Sequence, residues 1–554
     1  MIYDEELLEF DFPKTSRFRN FIYSVLVCIA SIFCFSIFSS YHYPPKLQID
    51  NAQIRSLIKL QINSIDILND IDTSQDLNFY LNKSIVSFYK NRDYNPVWIE
   101  NYQANNKFYT YKHLLDSAKY FGFPFDYFYS EKINRIQHNA GIQSKEALNN
   151  LIEFDLTTTF SCFKYLIYLT QGIIEKDTSA FFRSYVRTLP GYLSMAIKSD
   201  NFNRAILAVQ PDFVQYERIL NSMSFFVDLN LSIANTTPAF IDDKILAEGF
   251  YYSDIISVRK FDSQNTKIAS LHKFQKQFNL PNDSILSKLG HKILVKLLHK
   301  KYQQACLNLH RLRQLGNSSK NCLFVNIPEF KLTIIEGNKT KDVFKIIVGK
   351  KKTPTPIFSS NVEKVITKPY WTVPRSIVAN EIVRRVRRDS TYLKRNGYFV
   401  IDNYEDPVDD EIIDWDENDP LGKHYWLRQR NSRYSAMGQI KFTFPNKYQI
   451  YLHDTPSKRL FKNTNRSYSH GCIRIENPDK LAQYLYDNYH TEDDLNIKKL
   501  ISSRKSQEIE LDRKIDIHIQ YITCAGTKNK ELVFFKDIYN RDKEEIKAVF
   551  PNWL

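Results

Sequence analysis

The chain has 554 residues, of which 43% are apolar and 25% are charged, a composition typical of folded globular protein rather than of a disordered chain. Its length predicts about two to four domains. The net charge of +14 is mild for this length, and no compact block combines basic and aromatic residues, so we expect no nucleic acid partner.

The first element in chain order is an uncharged apolar run over residues 21–39. It is close to the about 20 residues that a membrane helix needs. Basic residues come just before it, so the positive-inside rule predicts that residues 1–20 stay in the cytoplasm and that the rest is exported (Lys14, Arg17 and Arg19). A cleaved signal peptide is the alternative. The acidic n-region and the lack of an Ala-x-Ala site favour a retained anchor over residues 21–41.

Residues 55–245 follow, with apolar residues at helical spacing in Ile54–Leu68 and Leu151–Ile173, and predict a helical domain. Residues 254–302 predict a small unit of their own. There an amphipathic helix over 268–280 is followed by a turn and a second helix.

Residues 320–540 change to strand patterns punctuated by proline and predict a mainly-β domain. A polar insertion over residues 376–435 interrupts it and carries an acidic tract at Glu405–Asp419. Near its end lies Trp426. We expect the insertion to form a mobile lid, in which Trp426 either contacts a ligand or anchors the lid to the β core. The predicted fold class is therefore multidomain α+β.

Seven cysteines occur in the chain, and Cys28 and Cys34 fall in the apolar run. An odd number remains outside it, which indicates at least one free thiol in an oxidising compartment. These cysteines are Cys162, Cys306, Cys322, Cys472 and Cys524. We expect Cys472 to be the free thiol and the other four to be mostly buried and unpaired.

The densest cluster of chemically active residues is Tyr451-Leu-His-Asp454 followed by Ser469-His-Gly-Cys-Ile-Arg474. A thiol attacks only as thiolate, and a nearby imidazole such as His453 is the usual means of activating it. Gly471 allows a tight turn that brings backbone N–H groups towards the Cys472 sulfur, where an oxyanion would form. These residues together indicate covalent acyl transfer.

Arg474 lies on the same side of an extended chain as Cys472, because side chains alternate with period two. A fixed cation there could hold a substrate carboxylate or amide oxygen. A zinc site built from His453, His470 and Cys472 is the alternative. Structural zinc usually needs four ligands with close paired spacing, and no second pair is present.

These motifs resemble those of the L,D-transpeptidases with a YkuD-type catalytic domain. The flanks Lys441–Asn446 and Tyr451–Pro456 resemble the large, membrane-anchored Gram-negative, YcbB-like subgroup. The resemblance begins at about residue 80 and is strongest over 321–376 and 436–480. It implies a helical scaffold, a three-helix peptidoglycan-binding-like unit at 254–302, and a capping subdomain at 376–435.

The resemblance also implies a reaction and its residues. Cys472 would attack a peptidoglycan tetrapeptide stem, release D-alanine, and pass the acyl group to the amine of a second stem in a 3→3 cross-link. His453 would act as general acid and base, and the backbone N–H groups of Gly471 and Cys472 would stabilise the oxyanion. The backbone carbonyl of His470 would orient His453. The residues expected to support the substrate, from the resemblance or from their place near Cys472, are Tyr451, Ser469, Arg474 and Trp426.

No metal or organic cofactor is implied. The expected partners are donor and acceptor stem peptides and the inner (cytoplasmic) membrane, with the catalytic domain in the periplasm and carbapenems as covalent inhibitors. Related enzymes that attach or release envelope proteins or hydrolyse stems share the motif. A catalytically silent wall-binding scaffold also stays open.

Overall fold

A computed structural model describes most of the chain beyond the predicted anchor. The described residues are 51–71, 77–124, 128, 130–139, 145–173, 180–316, 320–432, 434–491, 497–503 and 505–550. The predicted cytoplasmic segment 1–20 and the predicted anchor 21–41 lie outside them. Within the described ranges, no helix combines the length and apolarity that crossing a membrane requires.

The amino-terminal half of the described chain is helical, as predicted. Its helices are α1 (Asn51–Ile71), α2 (Leu77–Lys90), α3 (Asn106–Asp116), α4 (Ser130–Asn139), α5 (Lys145–Gln171), α6 (Ala180–Lys198), α7 (Phe202–Leu207), α8 (Val214–Asn235), α9 (Asp243–Tyr252), α10 (Gln264–Gln277) and α11 (Lys288–Gln314). A small hairpin joins α2 to α3 and consists of β1 (Ile99–Glu100) and β2 (Gln103–Ala104).

A buried carboxylate ties this hairpin to the helices. Asp155 on α5 accepts hydrogen bonds from the backbone N–H groups of Val97 (2.9 Å) and Trp98 (2.7 Å) and from the Tyr89 hydroxyl (2.5 Å). Burial raises the pKa of Asp155, and these hydrogen bonds act in the opposite direction. A buried polar group of this kind is tolerated because it is hydrogen-bonded.

The unit predicted at 254–302 contains two helices rather than three, and its second helix, α11, continues to Gln314 in the protein core. Residues between α9 and α10 form turns and bends up to Ser263, whose side chain caps α10 in a capping box. The third helix packed against α10 and α11 is α9, which lies before residue 254. The helical group therefore spans 243–314 and shares its core with the scaffold.

The carboxy-terminal half is built on a nine-stranded sheet. Its strands are β3 (Cys322–Asn326), β4 (Lys331–Glu336), β5 (Lys339–Gly349), β6 (Phe358–Thr367), β11 (Ile440–Thr443), β12 (Leu452–His453), β13 (Ser467–Ser469), β14 (Ile473–Ile475) and β15 (Gln507–Gln520). Their order is β13-β5-β14-β12-β11-β6-β15-β3-β4, and β4 also pairs with β5, so the sheet closes on itself. Two helices follow β14, namely α15 (Pro478–Tyr489) and α16 (Ile497–Ser502). Leu481, Leu485 and Ile497 of these helices join the sheet core.

The predicted insertion forms a separate layer, which we call the cap. Its sheet has the order β7-β10-β8-β9 and consists of β7 (Trp371–Thr372), β8 (Tyr398–Asp402), β9 (Pro407–Val408) and β10 (Tyr425–Gln429). Its helical segments are α12 (Arg375–Ile377), a π-helical turn (Val378–Ile382), α13 (Val383–Val386) and α14 (Tyr392–Arg395). The cap has an apolar core of its own, which includes Val378, Val400 and Leu427.

The chain ends by returning to the helices. Strands β16 (Cys524–Gly526) and β17 (Leu532–Phe534) form a hairpin, and α17 (Asp542–Val549) follows. Cys524 and Leu532 lie in the same apolar core as the scaffold helices, together with Phe324 of β3. Part of the β half therefore lies in the core of the helical half, while the rest of the sheet keeps its own core.

Gly526 marks the closest approach of these two halves. A Cβ atom built on Gly526 would lie 2.0 Å from the backbone oxygen of Arg218 on α8. We expect Gly526→Ala to destabilise the protein by about 1–3 kcal/mol or more, because two backbones would have to separate. Gly191→Ala is the control, since a Cβ there has no neighbour within 4 Å. Urea unfolding of both variants measures the difference, and equal stabilities would contradict the expectation.

Candidate active site

The predicted catalytic residues meet on one face of three adjacent strands. Lys441 on β11 lies opposite His453 on β12, and His453 lies opposite Arg474 on β14. Residues opposite each other in a sheet point to the same face, so these three side chains form a row. Tyr451 and Cys472 each precede this row by two residues and face the same side. The fold thereby joins segments that are separate in sequence.

The Cys472 sulfur has polar neighbours, among which Tyr451 has the largest effect on its pKa. The thiol donates a hydrogen bond to the backbone oxygen of Gln449 at 3.8 Å. Burial raises the pKa of Cys472, while hydrogen bonds from the Tyr451 backbone and hydroxyl, followed by the charges of Lys441 and Arg474, act to lower it. The sulfur is thus a thiol at rest, in surroundings that favour the thiolate as soon as its proton is accepted.

Four other cysteines are also free in the described residues, but each is fully buried: Cys162, Cys306, Cys322 and Cys524. Burial raises the pKa of all four thiols. Cys472 alone among these free thiols is partly accessible.

The loop that carries Cys472 is held by hydroxyl groups. The Ser469 hydroxyl accepts from the Gly471 N–H (3.1 Å) and donates to the Cys472 carbonyl oxygen (2.6 Å). From the neighbouring loop, the Thr355 hydroxyl donates to the Gly471 carbonyl oxygen at 2.7 Å. Gly471 has φ +122°, a conformation that favours glycine. The Gly471 N–H, a predicted oxyanion donor, is therefore occupied by Ser469 in this state.

His453 is buried, with 5% of its surface exposed. Burial and then the charge of Arg474 lower its pKa to about 3, with a further contribution from Lys441. Backbone groups of Asp454 and Met437 act in the opposite direction. The imidazole is therefore neutral at ordinary pH and able to accept a proton, as a general base requires.

The His470 side chain contacts the cap. Its Nε2 atom lies 2.7 Å from Oε1 of Glu381, which belongs to the π-helical turn. Among the described contacts, the backbone groups next to the His453 ring are those of Asp454 and Met437 rather than the carbonyl of His470. The orienting role of the His470 carbonyl stays a prediction.

Arg474 supplies a cation without a described acceptor. Its Nε atom is buried and makes no hydrogen bond to any residue in the described ranges. Burial lowers the pKa of the guanidinium, and Cys472 acts to raise it. A partly buried guanidinium in this state favours an incoming carboxylate, which it can hold with two parallel hydrogen bonds.

A known family matches the part of the chain that contains this site. Residues 320–497 match the family model described as the YkuD L,D-transpeptidase catalytic domain. This segment is an L,D-transpeptidase catalytic domain. The family predicted from the motifs is thereby confirmed for the part of the chain that carries Cys472 and His453.

Two further comparisons match this chain. Residues 83–223 match the model of a family described as a scaffold domain. The chain is also 31% identical over 252 residues to a protein of Haemophilus influenzae named a putative L,D-transpeptidase. That match covers 45% of this chain and 50% of the relative, so the chain spans about half the length of the relative it matches.

Two residues of the L,D-transpeptidase site were missed in the sequence. The Lys441 ammonium lies 4.3 Å from the centroid of the Tyr451 ring, and burial lowers the pKa of this lysine. Burial raises the pKa of Tyr451, and Trp371 at the base of the cap, which lies beside the Tyr451 side chain, acts to lower it. Polar and apolar residues alternate in Lys441-Phe-Thr-Phe444, so Lys441 lies on the face of the strand away from the buried phenylalanines. This pattern could have indicated Lys441 as a site residue. No local pattern indicates Trp371, because its contact is long-range.

Trp426 lies on β10 of the cap, opposite Ile401 on β8. Its ring N–H donates to the Asn403 side-chain oxygen at 3.2 Å, and the Arg375 guanidinium lies 4.3 Å from its ring centroid. These contacts are all within the cap. A role of Trp426 in substrate binding stays a prediction. Among the described residues, no three His, Cys, Asp or Glu side chains form a group that could hold a metal ion.

Lys441 gives the L,D-transpeptidase site a testable pH dependence. A general base is lost as the pH falls through its pKa, and His453 has a pKa of about 3 partly because Lys441 is nearby. Lys441→Met removes this charge, so the pKa of His453 should rise and the acid limb of kcat/KM should move to higher pH. The measurement is the rate of acylation at Cys472 across the acid range. Lys447→Met, which removes an exposed lysine from the Tyr448 ring, should leave the limb in place.

Proposed function

We propose that this protein is an L,D-transpeptidase that forms 3→3 cross-links in peptidoglycan and releases D-alanine from tetrapeptide stems. One observation carries the proposal: an accessible thiol, Cys472, shares a strand face with a neutral buried imidazole, His453, and an unengaged cation, Arg474. A neutral imidazole next to a thiol is the arrangement that activates a cysteine nucleophile.

In the first half-reaction, His453 accepts the thiol proton and the Cys472 sulfur attacks the carbonyl carbon of the bond to D-alanine. Backbone N–H groups of the Cys472 loop stabilise the oxyanion that forms. The Gly471 N–H takes part once Ser469 releases it. The imidazolium then protonates the departing amine, and an acyl thioester remains on Cys472.

Arg474 acts on the substrate in this scheme rather than on the proton. The donor stem ends in the carboxylate of D-alanine, and a partly buried guanidinium without a described partner suits that group. Tyr451 supports the sulfur because its backbone and its hydroxyl act to lower the pKa of Cys472, which burial raises. In the second half-reaction the amine of another stem attacks the thioester, and Cys472 is released.

Mass spectrometry of muropeptides tests this proposal. The purified protein is incubated with tetrapeptide-rich peptidoglycan, and wild type should give dimers joined through the side-chain amine together with free D-alanine. Cys472→Ala should give neither. Stems shortened without dimers would indicate a hydrolase, and a released or attached envelope protein would indicate the related exchange reaction. No change in either protein would indicate a silent wall-binding scaffold.

We also propose that residues 21–41 anchor the protein in the inner membrane, with residues 1–20 in the cytoplasm and the catalytic domain in the periplasm. The support is the uncharged run and the basic residues before it. The membrane-bound protein should then begin near Met1 and be released by detergent but not by salt. An amino terminus mapped just beyond residue 39 would show signal-peptide cleavage instead.

A further inference from the structure

The charges around the nucleophile are mainly positive. Lys441 and Arg474 act on the sulfur from the strand face, and the turn Lys350–Lys352 adjoins the nucleophile loop through the hydrogen bond from the Lys350 N–H to the Ser469 carbonyl oxygen (3.0 Å). Among the described residues, the carboxylate that reaches the segment 469–472 is Glu381, through His470 at 2.7 Å. This negative group thus stands at the edge of a positive site.

Glu381 comes from the cap and not from the catalytic sheet. It lies in the π-helical turn Val378–Ile382, a rare form of helix that is frequent at functional sites. The cap meets the site at a second point as well, where Trp371 lies beside Tyr451 and acts to lower the pKa of its hydroxyl against the effect of burial. The Glu381 and His470 side chains are 34% and 37% exposed, so a ligand can reach both.

The nearby Arg385 could pair with Glu381 but hydrogen-bonds another residue. Arg385 lies one helical turn further along, and its charge is within reach of Glu381. Its guanidinium donates instead to the Tyr392 hydroxyl at 2.9 Å. The described partner of the Glu381 carboxylate is therefore His470, a side chain that can be displaced or can accept a proton.

An acceptor stem needs what this pair offers. Its attacking group is a primary amine, which with a pKa near 10.4 is an ammonium ion at neutral pH. The ammonium is repelled by Lys441 and Arg474 and must lose a proton before it can attack. A carboxylate next to an imidazole, beside the nucleophile, meets both requirements.

We propose that Glu381 and His470 form the acceptor subsite, where Glu381 binds the primary ammonium of the second stem and His470 takes its proton. This inference rests on the proposed function. The neutral amine then attacks the thioester carbon, so that a C–N bond forms and the C–S bond breaks. The second amine proton passes to the Cys472 sulfur through His453, and the first leaves His470 for solvent. The products are an amide and the free thiol.

The test separates the two half-reactions in the full chain. A donor tetrapeptide stem whose side-chain amine is acetylated cannot act as an acceptor, so this stem alone gives a burst of D-alanine that reports acylation. A tripeptide stem with a free side-chain amine is then added at increasing concentration, and cross-linked product is measured. Glu381→Gln should keep the burst within about twofold of wild type and raise the acceptor concentration for half-maximal rate by at least about tenfold, or ~1.4 kcal/mol. Glu411→Gln, at an exposed carboxylate of the same cap, is the matched control.

A second nucleophile distinguishes binding of charge from positioning of the loop. Hydroxylamine, which is uncharged at the assay pH, should cleave the thioester at the same rate in wild type and in Glu381→Gln. Glu381→Asp, which keeps the charge, should recover part of the acceptor affinity.

Equal losses of the burst and of cross-linking in Glu381→Gln would overturn the inference, since Glu381 would then only position the nucleophile loop. An unchanged acceptor dependence would overturn it as well. Absence of a burst in wild type is a different result: it would reject the proposed transpeptidase function, and the acceptor subsite with it.

Discussion

Cys472→Ala is expected to take no carbapenem adduct and to lose all detectable cross-linking, while wild type takes one adduct that maps to Cys472. The reason is accessibility combined with chemistry. Cys472 is the partly exposed free thiol of the described residues, whereas the other four are fully buried with raised pKa values. Intact-protein mass spectrometry followed by peptide mapping measures the adduct.

The control for this prediction is the fold of the variant. Alanine removes a sulfur from a partly exposed position, so Cys472→Ala should unfold in urea at nearly the same midpoint as wild type. A mass shift of wild-type size in the well-folded variant would show that another nucleophile reacts.

His453→Gln is expected to reduce D-alanine release by about 10²–10⁴-fold, the range typical of a general base. Glutamine is similar in size and polar, but it cannot accept and return a proton at neutral pH. The neutral state of His453, with a pKa of about 3 through burial and the Arg474 and Lys441 charges, makes wild type ready for this step. Single-turnover acylation over several pH values is the measurement.

The matched control for His453 is His470→Gln. If the His470 side chain serves only the acceptor, this variant should keep the burst of D-alanine that His453→Gln loses. A normal burst in His453→Gln would assign the base to another residue, and the pH profile of that burst would then identify its pKa.

The sequence predicted the site best where its members lie close together in the chain. Ser469, Gly471 and Cys472 form one loop, and their hydrogen bonds connect near neighbours. Residues 320–497 belong to the predicted family. Trp371 and Glu381 were not predicted as site residues. Each belongs to the cap, whereas its partner, Tyr451 or His470, adjoins a strand of the catalytic sheet and is distant in the chain. Such contacts depend on how layers pack, which periodicity does not encode.

The same limit explains the helical unit predicted at 254–302. The amphipathic pattern correctly located α10, but it did not show that α11 runs on to Gln314 or that α9 packs beside them. Helix ends are set by caps such as Ser263 and by tertiary packing. A boundary predicted from periodicity therefore falls where the hydrophobic pattern changes, whereas the actual end of a helix depends on its packing.

The joint core of helices and sheet restricts how this protein can diverge or be recombined. Phe213 and Phe324 face each other across it with ring centroids 5.4 Å apart, and Gly526 lies against the backbone of Arg218. A substitution on either side calls for a compensating one on the other. The L,D-transpeptidase segment is thus a poor cassette for transfer between chains: grafted without its helices, it would present an uncovered apolar surface and invite aggregation. We therefore expect substitutions at these contact positions to occur in pairs, more than substitutions near Cys472.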